Sequence, residues 1–290
     1  MQIAYHVGVH GSDQERILRT LLKNREMLWM RGVEVPAPNR YRGVFGDAIN
    51  ALRGGVATQD MQEMLLDAVM DSDRAGRVVL SQSGFLGMPQ RAISAEGLYA
   101  KGHNRLLGLS NLFPDAVVEF FIGLVHPARQ ASEILRMTGG DYDAVLGGVN
   151  PRNLRWAPML HRILQTVPDR DIVIWAQEDL PFIWPEVLRR IAGVGPEAAL
   201  KGEDALLAEL LPEAEADALQ QKIAATDGLS VEARRQMVED ALTSMPDSGA
   251  MEAEVALPGW SQDLVDELSE IYATDLAEIA ALPGIEYISA

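Results

Sequence analysis

"YHVGVHGSDQERILRTLLKNREMLWMRGVEVP", residues 5–36, is the stretch from which the fold is read. Its opening is extended, Gly8 and Gly11 let the backbone turn tightly, and Ser12 followed three residues later by Glu15 is the capping-box pattern that starts a helix. From Ile17 the apolar positions Leu18, Leu21, Leu22, Met27, Leu28 and Met30 recur at helical spacing, and "RGVEVP" turns the chain into a second short strand. A strand, a tight turn and a helix in this order aim free N–H groups at whatever occupies the turn.

The same alternation continues outward. "IAYHVG" (3–8), "VEV" (33–35), "RVVLS" (77–81), "AVVEFFIGLV" (116–125) and "DIVIWA" (171–176) read as strands, and 13–31, 58–72, 95–110, 128–137 and 151–166 as helices. Strands alternating with helices predict an α/β fold with a mostly parallel sheet flanked by helices and joined by right-handed crossovers. After "IWPEVLRRIAG" (183–193) the chain becomes acidic and rich in Ala and Leu, with no strand signal. The expected organisation is therefore an α/β domain over 1–195 and an acidic helical appendage over 196–290 packing on it. Within the appendage 244–259 reads as a linker and 261–282 as a closing amphipathic helix, with Leu264, Leu268, Ile271, Leu276 and Ile279 facing inward.

The 290 residues are 48% hydrophobic and contain no cysteine, which excludes disulfides and thiolate metal sites and makes a reducing cytoplasm the expected location. No signal peptide or membrane span is expected. A net charge of −17 argues against nucleic acid and anionic membranes as partners. The acidity is not evenly spread. Residues 1–130 carry 14 Lys/Arg against 13 Asp/Glu, and residues 196–290 carry 4 against 21. The near-neutral first part leaves room for a small anionic molecule, and the acidic helices for a protein partner. Oligomeric state is not specified by the sequence.

Several residues stand out as candidates. His6 and His10 straddle the first turn, either as a pair aimed into one cleft or as one buried histidine and one loop residue. Glu178 and Asp179 follow a strand, where α/β sheets collect ligand groups, and a helix-capping role for Asp179 is the alternative. Arg40 and Arg42 are either an anion clamp or solvated loop residues. Trp156, Trp175, Trp184, Phe120 and Phe121 read as core aromatics. "GGDYDAVLGG" (139–148) does not have the spacing of a calcium loop and reads as a flexible connection.

Taken together, "HVGVH" (6–10) with its following helix, "RGVEVP", "RVVLSQSGFLG", "FFIGLVHPARQASEIL" and "YATDLAEIAALPGIEYI" resemble, in order, the motifs of the bacterial sulfotransferase-like P-loop family. The resemblance spans most of the chain. It implies a P-loop α/β fold and the sulfonate donor PAPS. In that family a lysine and backbone N–H groups hold the 5′-phosphate and sulfonate, and an arginine and a serine hold the 3′-phosphate. Here Gly11 stands where the lysine would be, Ser12 where a threonine would be, and Asp13 where the loop glycine would be. Val125 stands at the arginine position and His126 at the asparagine position, Arg129 and Ser132 lie in the next helical turn, and Ser83 replaces the carboxylate expected as base.

A positioned cation on a transferring group is worth roughly 3–4 kcal/mol, about 10²–10³ in rate. The expectation is a sulfotransferase-like protein with a degenerate active site that has lost PAPS-dependent catalysis and serves as a ligand- or partner-binding relative, with no cofactor. The alternative is an active transferase moving a sulfonate from PAPS to a hydroxyl. There Gly8, Gly11 and Ser12 would supply loop contacts, Arg129 and Ser132 would touch the PAPS or PAP, and His10 would be the base. No metal site is expected in either case.

Overall fold

The structure is a computed structural model that describes every residue except 14, 73, 227 and 245–256. The linker expected at 244–259 falls largely outside the described residues. The chain runs β1 (Gln2–His6), α1 (Arg16–Lys23), α2 (Arg25–Met30), β2 (Val33–Glu34), α3 (Val44–Leu52), α4 (Gln59–Val69), β3 (Arg77–Ser81), β4 (Ile93–Ser94) and β5 (Gly97–Leu98). It continues with α5 (Gly102–Leu112), β6 (Val117–Leu124), α6 (Pro127–Met137), α7 (Tyr142–Leu146), α8 (Ala157–Thr166), β7 (Asp171–Ala176) and α9 (Leu180–Ala192). The remainder is α10 (Ala205–Leu210), α11 (Glu213–Ala224), α12 (Val231–Thr243), α13 (Gln262–Ala280) and β8 (Ile285–Tyr287).

Six strands form one sheet in the order β2-β3-β1-β6-β7-β8, every neighbouring pair parallel. β1 is central, with His6 opposite Ser81 on one side and Phe121 on the other. A parallel sheet buries both faces, and the alternation of β1 divides between two cores. Tyr5, Val7 and Val9 join a cluster with Phe45, Phe120 and Trp156 under α3, α5 and α8, whereas Ala4 joins Ile17, Trp175 and Trp184 under α1 and α9. Trp156, Trp175, Trp184, Phe120 and Phe121 are fully buried, as core aromatics should be.

Several elements depart from the sequence reading. The helix expected over 13–31 is two helices jointed at Asn24, whose side-chain amide donates to Thr20 O and Lys201 O and accepts from Lys201 N. Those bonds fasten the joint to the segment after α9. Residues 93–98 form a small antiparallel hairpin, so the helix expected at 95–110 begins only at Gly102. Residues 44–52 and 142–146 are helical although no helix was expected there, the second because Asp141 caps it through Ala144 N. Residues 285–287 add a strand to the sheet edge beyond β7.

At the end opposite the turns, Arg77 pairs with Glu119 across β1, and Arg190 joins Glu119 to Glu286 on β8. Both guanidiniums lie over the Phe121 ring. This network ties the last strand to the centre of the sheet.

Candidate functional site

The turn after β1 opens at the carboxyl ends of the strands, the place where parallel α/β sheets bind ligands. Gly8 passes close to the backbone of Ser83, two residues beyond the end of β3. Gly11 has φ +79°, and a Cβ there would stand 2.6 Å from Glu133 Cβ on α6. Ser12 is buried and donates its N–H to Val9 O at 3.1 Å.

The start of α1 differs from the expected capping box. Glu15 is left-handed, φ 64°, and the capping group is the buried Asp13 carboxylate. It accepts from Glu15 N at 3.1 Å and Ile17 N at 2.9 Å. Glu15 instead reaches outward to an ion pair with Arg42. Asp13 thus supplies, from within the chain, the negative charge that a helix start favours.

His6 and His10 do not share a cleft: His6, the last residue of β1, packs on Trp175 in one core, whereas His10, in the turn beyond the strand, packs against Tyr99 in the other. Burial lowers the pKa of both, with Asp13 pulling His6 partly back. His6 Nδ1 is 2.8 Å from Ser81 Oγ and its ring stacks on Trp175. His10 stacks on Tyr99, which stacks in turn on Trp156. Tyr99 Oη accepts the His10 N–H at 3.1 Å and Gln130 Nε2 at 3.4 Å, and lies 2.9 Å from His10 Nδ1. With both oxygen lone pairs taken, the tyrosine hydrogen goes to Nδ1, so neutral His10 carries its own proton on Nε2. His10 is in this state a donor. Gln130 also holds the turn through His10 O at 2.8 Å.

Beside this turn lies a cleft of about 1430 Å³. Its walls are the start of α3, the segment 82–91 after β3, the β4–β5 hairpin and the start of α5, with His10, Ser83 and Tyr99 among its lining. Arg42, Arg91, Lys101 and Arg105 contribute cations; Glu15, Asp47 and Glu96 contribute carboxylates. Arg42 is paired with Glu15, but Arg91, Lys101 and Arg105 have no ion-pair partner among the described residues. Arg105 Nε donates to Phe85 O.

The other candidates are dispersed. Arg129 and Ser132 sit on α6, half-buried and outside the cleft lining. Ser132 is about 100° around the helix from Glu133, which faces Gly11. Val125 is completely buried, and its carbonyl accepts Trp156 Nε1 at 2.9 Å. Arg40 pairs with Asp71, so Arg40 and Arg42 form no clamp. Glu178 is a strut: it accepts His126 N at 2.9 Å and Tyr272 Oη at 3.0 Å. Asp275, three residues beyond Tyr272, is buried and accepts Trp156 N and Ala157 N at the start of α8. The Tyr272–Asp275 pair therefore locks α13 onto the turn after β7 and the start of α8.

Tyr99, Gln130, Arg91, Lys101 and Arg105 were not anticipated. A signal existed for Gln130: with His126, Glu133 and Met137 it falls on one face of α6 at helical spacing. Tyr99 carried none, since its partners are distant in sequence. Among the described residues, no cluster of three or more His, Asp or Glu is placed to hold a metal ion, and no helix is long and apolar enough to cross a membrane.

The fold and the cleft define an α/β protein with a six-stranded parallel sheet and a ligand-sized hollow at its carboxyl edge. Comparison of the chain with family models, with curated proteins and with solved structures finds no match.

Proposed function

We propose that this chain is a sulfotransferase-like protein of the P-loop kind that has given up PAPS-dependent catalysis and works by binding a small anionic molecule. The ordered resemblance of its motifs, the central position of β1 and the placement of the turn at the strands' carboxyl ends support that relationship. The observation that carries the loss of catalysis is Asp13, whose carboxylate accepts the N–H groups of Glu15 and Ile17. Those are groups that a donor phosphate would need.

Three further features work in the same direction. Gly11 offers no cation, and Glu133 crowds the space a longer side chain would enter. Val125 is packed into the core at the position where the resemblance places an arginine. His10 presents Nε2–H rather than a basic nitrogen in its neutral form. Removing a cation, a second cation and a base together leaves little of a transfer reaction, since each positioned electrostatic group is worth about 3–4 kcal/mol.

Calorimetry of the intact protein with PAP at moderate salt tests this reading. The expected result is no saturable binding up to millimolar ligand. Micromolar affinity overturns it and restores the transferase reading.

A further inference from the structure

We propose that the cleft beside the first turn takes an amphiphilic anion: a carboxylate, sulfate or sulfonate head on an apolar body. This deepens the binding role just proposed and rests on it. The chain as a whole repels anions at −17, yet four cations against three carboxylates line this hollow. Arg91, Lys101 and Arg105 have no carboxylate partner among the described residues, so their charge is available to a ligand. Set together around one concave surface, those cations sum their attraction for an anion there.

His10 adds a fixed donor to the diffuse charge. Its Nδ1 is engaged by Tyr99, which leaves Nε2–H as the ring's free donor, and Tyr99 itself is held at φ 41° while fully buried. A buried non-glycine residue in the left-handed region costs about 1–3 kcal/mol, and such strain persists where surrounding contacts over-determine it. Here those contacts are the ones that orient His10. The apolar part of the ligand follows from the remaining wall. Leu86 and Ile93 line the cleft, and Met88 and Met137 stand 67% and 43% exposed at it. Exposed methionines adapt their shape to apolar bodies of varied outline. At about 1430 Å³ the hollow is larger than a bare inorganic anion needs.

The test is a fluorescence titration of the full chain with 8-anilinonaphthalene-1-sulfonate, followed by competition with decanoate, decanol and inorganic sulfate. The expected result is saturable binding of the dye, displaced by decanoate, with decanol and sulfate at least tenfold weaker. The Arg91→Gln/Lys101→Gln variant changes two exposed side chains and should weaken dye binding at least tenfold. Arg74→Gln, on a different loop, should leave it within twofold. Circular dichroism confirms that each variant is folded.

Decanol competing as well as decanoate, inorganic sulfate competing as well as decanoate, or unchanged affinity in the double variant overturns the proposal. A parallel PAP titration separates the two readings: PAP binding overturns the non-catalytic reading, whereas no binding of PAP, dye or decanoate overturns the cleft assignment alone.

Discussion

The Asp13 carboxylate accepts the backbone N–H of Ile17, four residues along the chain, at 2.9 Å. One side chain thereby ends β1's turn, begins α1 and fills the mouth of the loop with negative charge. Asp13→Ala is expected to destabilise the protein by about 1–2 kcal/mol, the range for a lost helix cap. Urea denaturation measures it. An unchanged midpoint would show that the contact contributes nothing.

Grafting the phosphate loop that the proposed relationship implies is harder than replacing residues. A lysine at position 11 would inherit φ +79° and meet Glu133, so the Lys-Thr-Gly-Thr-Thr graft over 11–15 should fold well only when combined with Glu133→Ala. Val125→Arg should cost about 3 kcal/mol or more, because it places an unpaired charge in a filled core. Thermal unfolding of the graft with and without Glu133→Ala, and of Val125→Arg alone, checks both statements. Were Val125→Arg tolerated without loss, a hollow for the missing cation would still exist.

The parts of the fold that could be read from sequence were those written in local pattern. β1, β3, β6 and β7 are apolar runs buried on both sides, and their order forces a parallel sheet. β8 could not be seen, since "IEY" becomes a strand only by pairing with β7 and by the Arg190–Glu286 tie. The hairpin at 93–98 is two residues on each side and left no periodicity to detect. At the site, the competition of Asp13 for helix-start N–H groups follows from residue type and position. The His10–Tyr99–Gln130 arrangement does not, because it joins residues 89 and 120 positions apart.

The Arg77–Glu119 pair separates stability from attraction. Burial disfavours charge on Glu119, and Arg190 and Arg77 more than offset it, holding the carboxyl below its usual range. Glu119→Ala strands the buried Arg77 guanidinium and leaves Arg190 with Glu286 alone, and should cost about 3–5 kcal/mol. Arg77→Met/Glu119→Leu should recover most of that loss, since replacing a buried pair by apolar groups of similar size is often neutral. Comparing the single and double variants by urea denaturation decides it. Equal destabilisation of both would mean that the pair itself, rather than its broken half, sets the energy.

Histidine burial sets the pH response. Burial holds His6, His10 and His126 below the ordinary value of 6.5, so the unfolded chain takes up protons at a higher pH than the folded one. The sign follows from linkage: the contribution is fully present above pH 6.5 and is lost as pH falls through the lowered folded values. His10 adds a specific reason, because a proton on Nδ1 would face the tyrosine hydrogen instead of receiving it. Glu34, Asp179 and Asp275 are shifted upward, mainly by burial, and act with the opposite sign in the carboxylate range. The histidine signature should therefore appear as pH falls from about 6.5 toward 5. The urea midpoint is expected to fall across that interval, and His10→Asn, which keeps an acceptor without a titrating ring, should make the fall shallower. A midpoint that is flat or rises toward pH 5 would show that these rings are protonated as readily in the folded protein as in the unfolded chain.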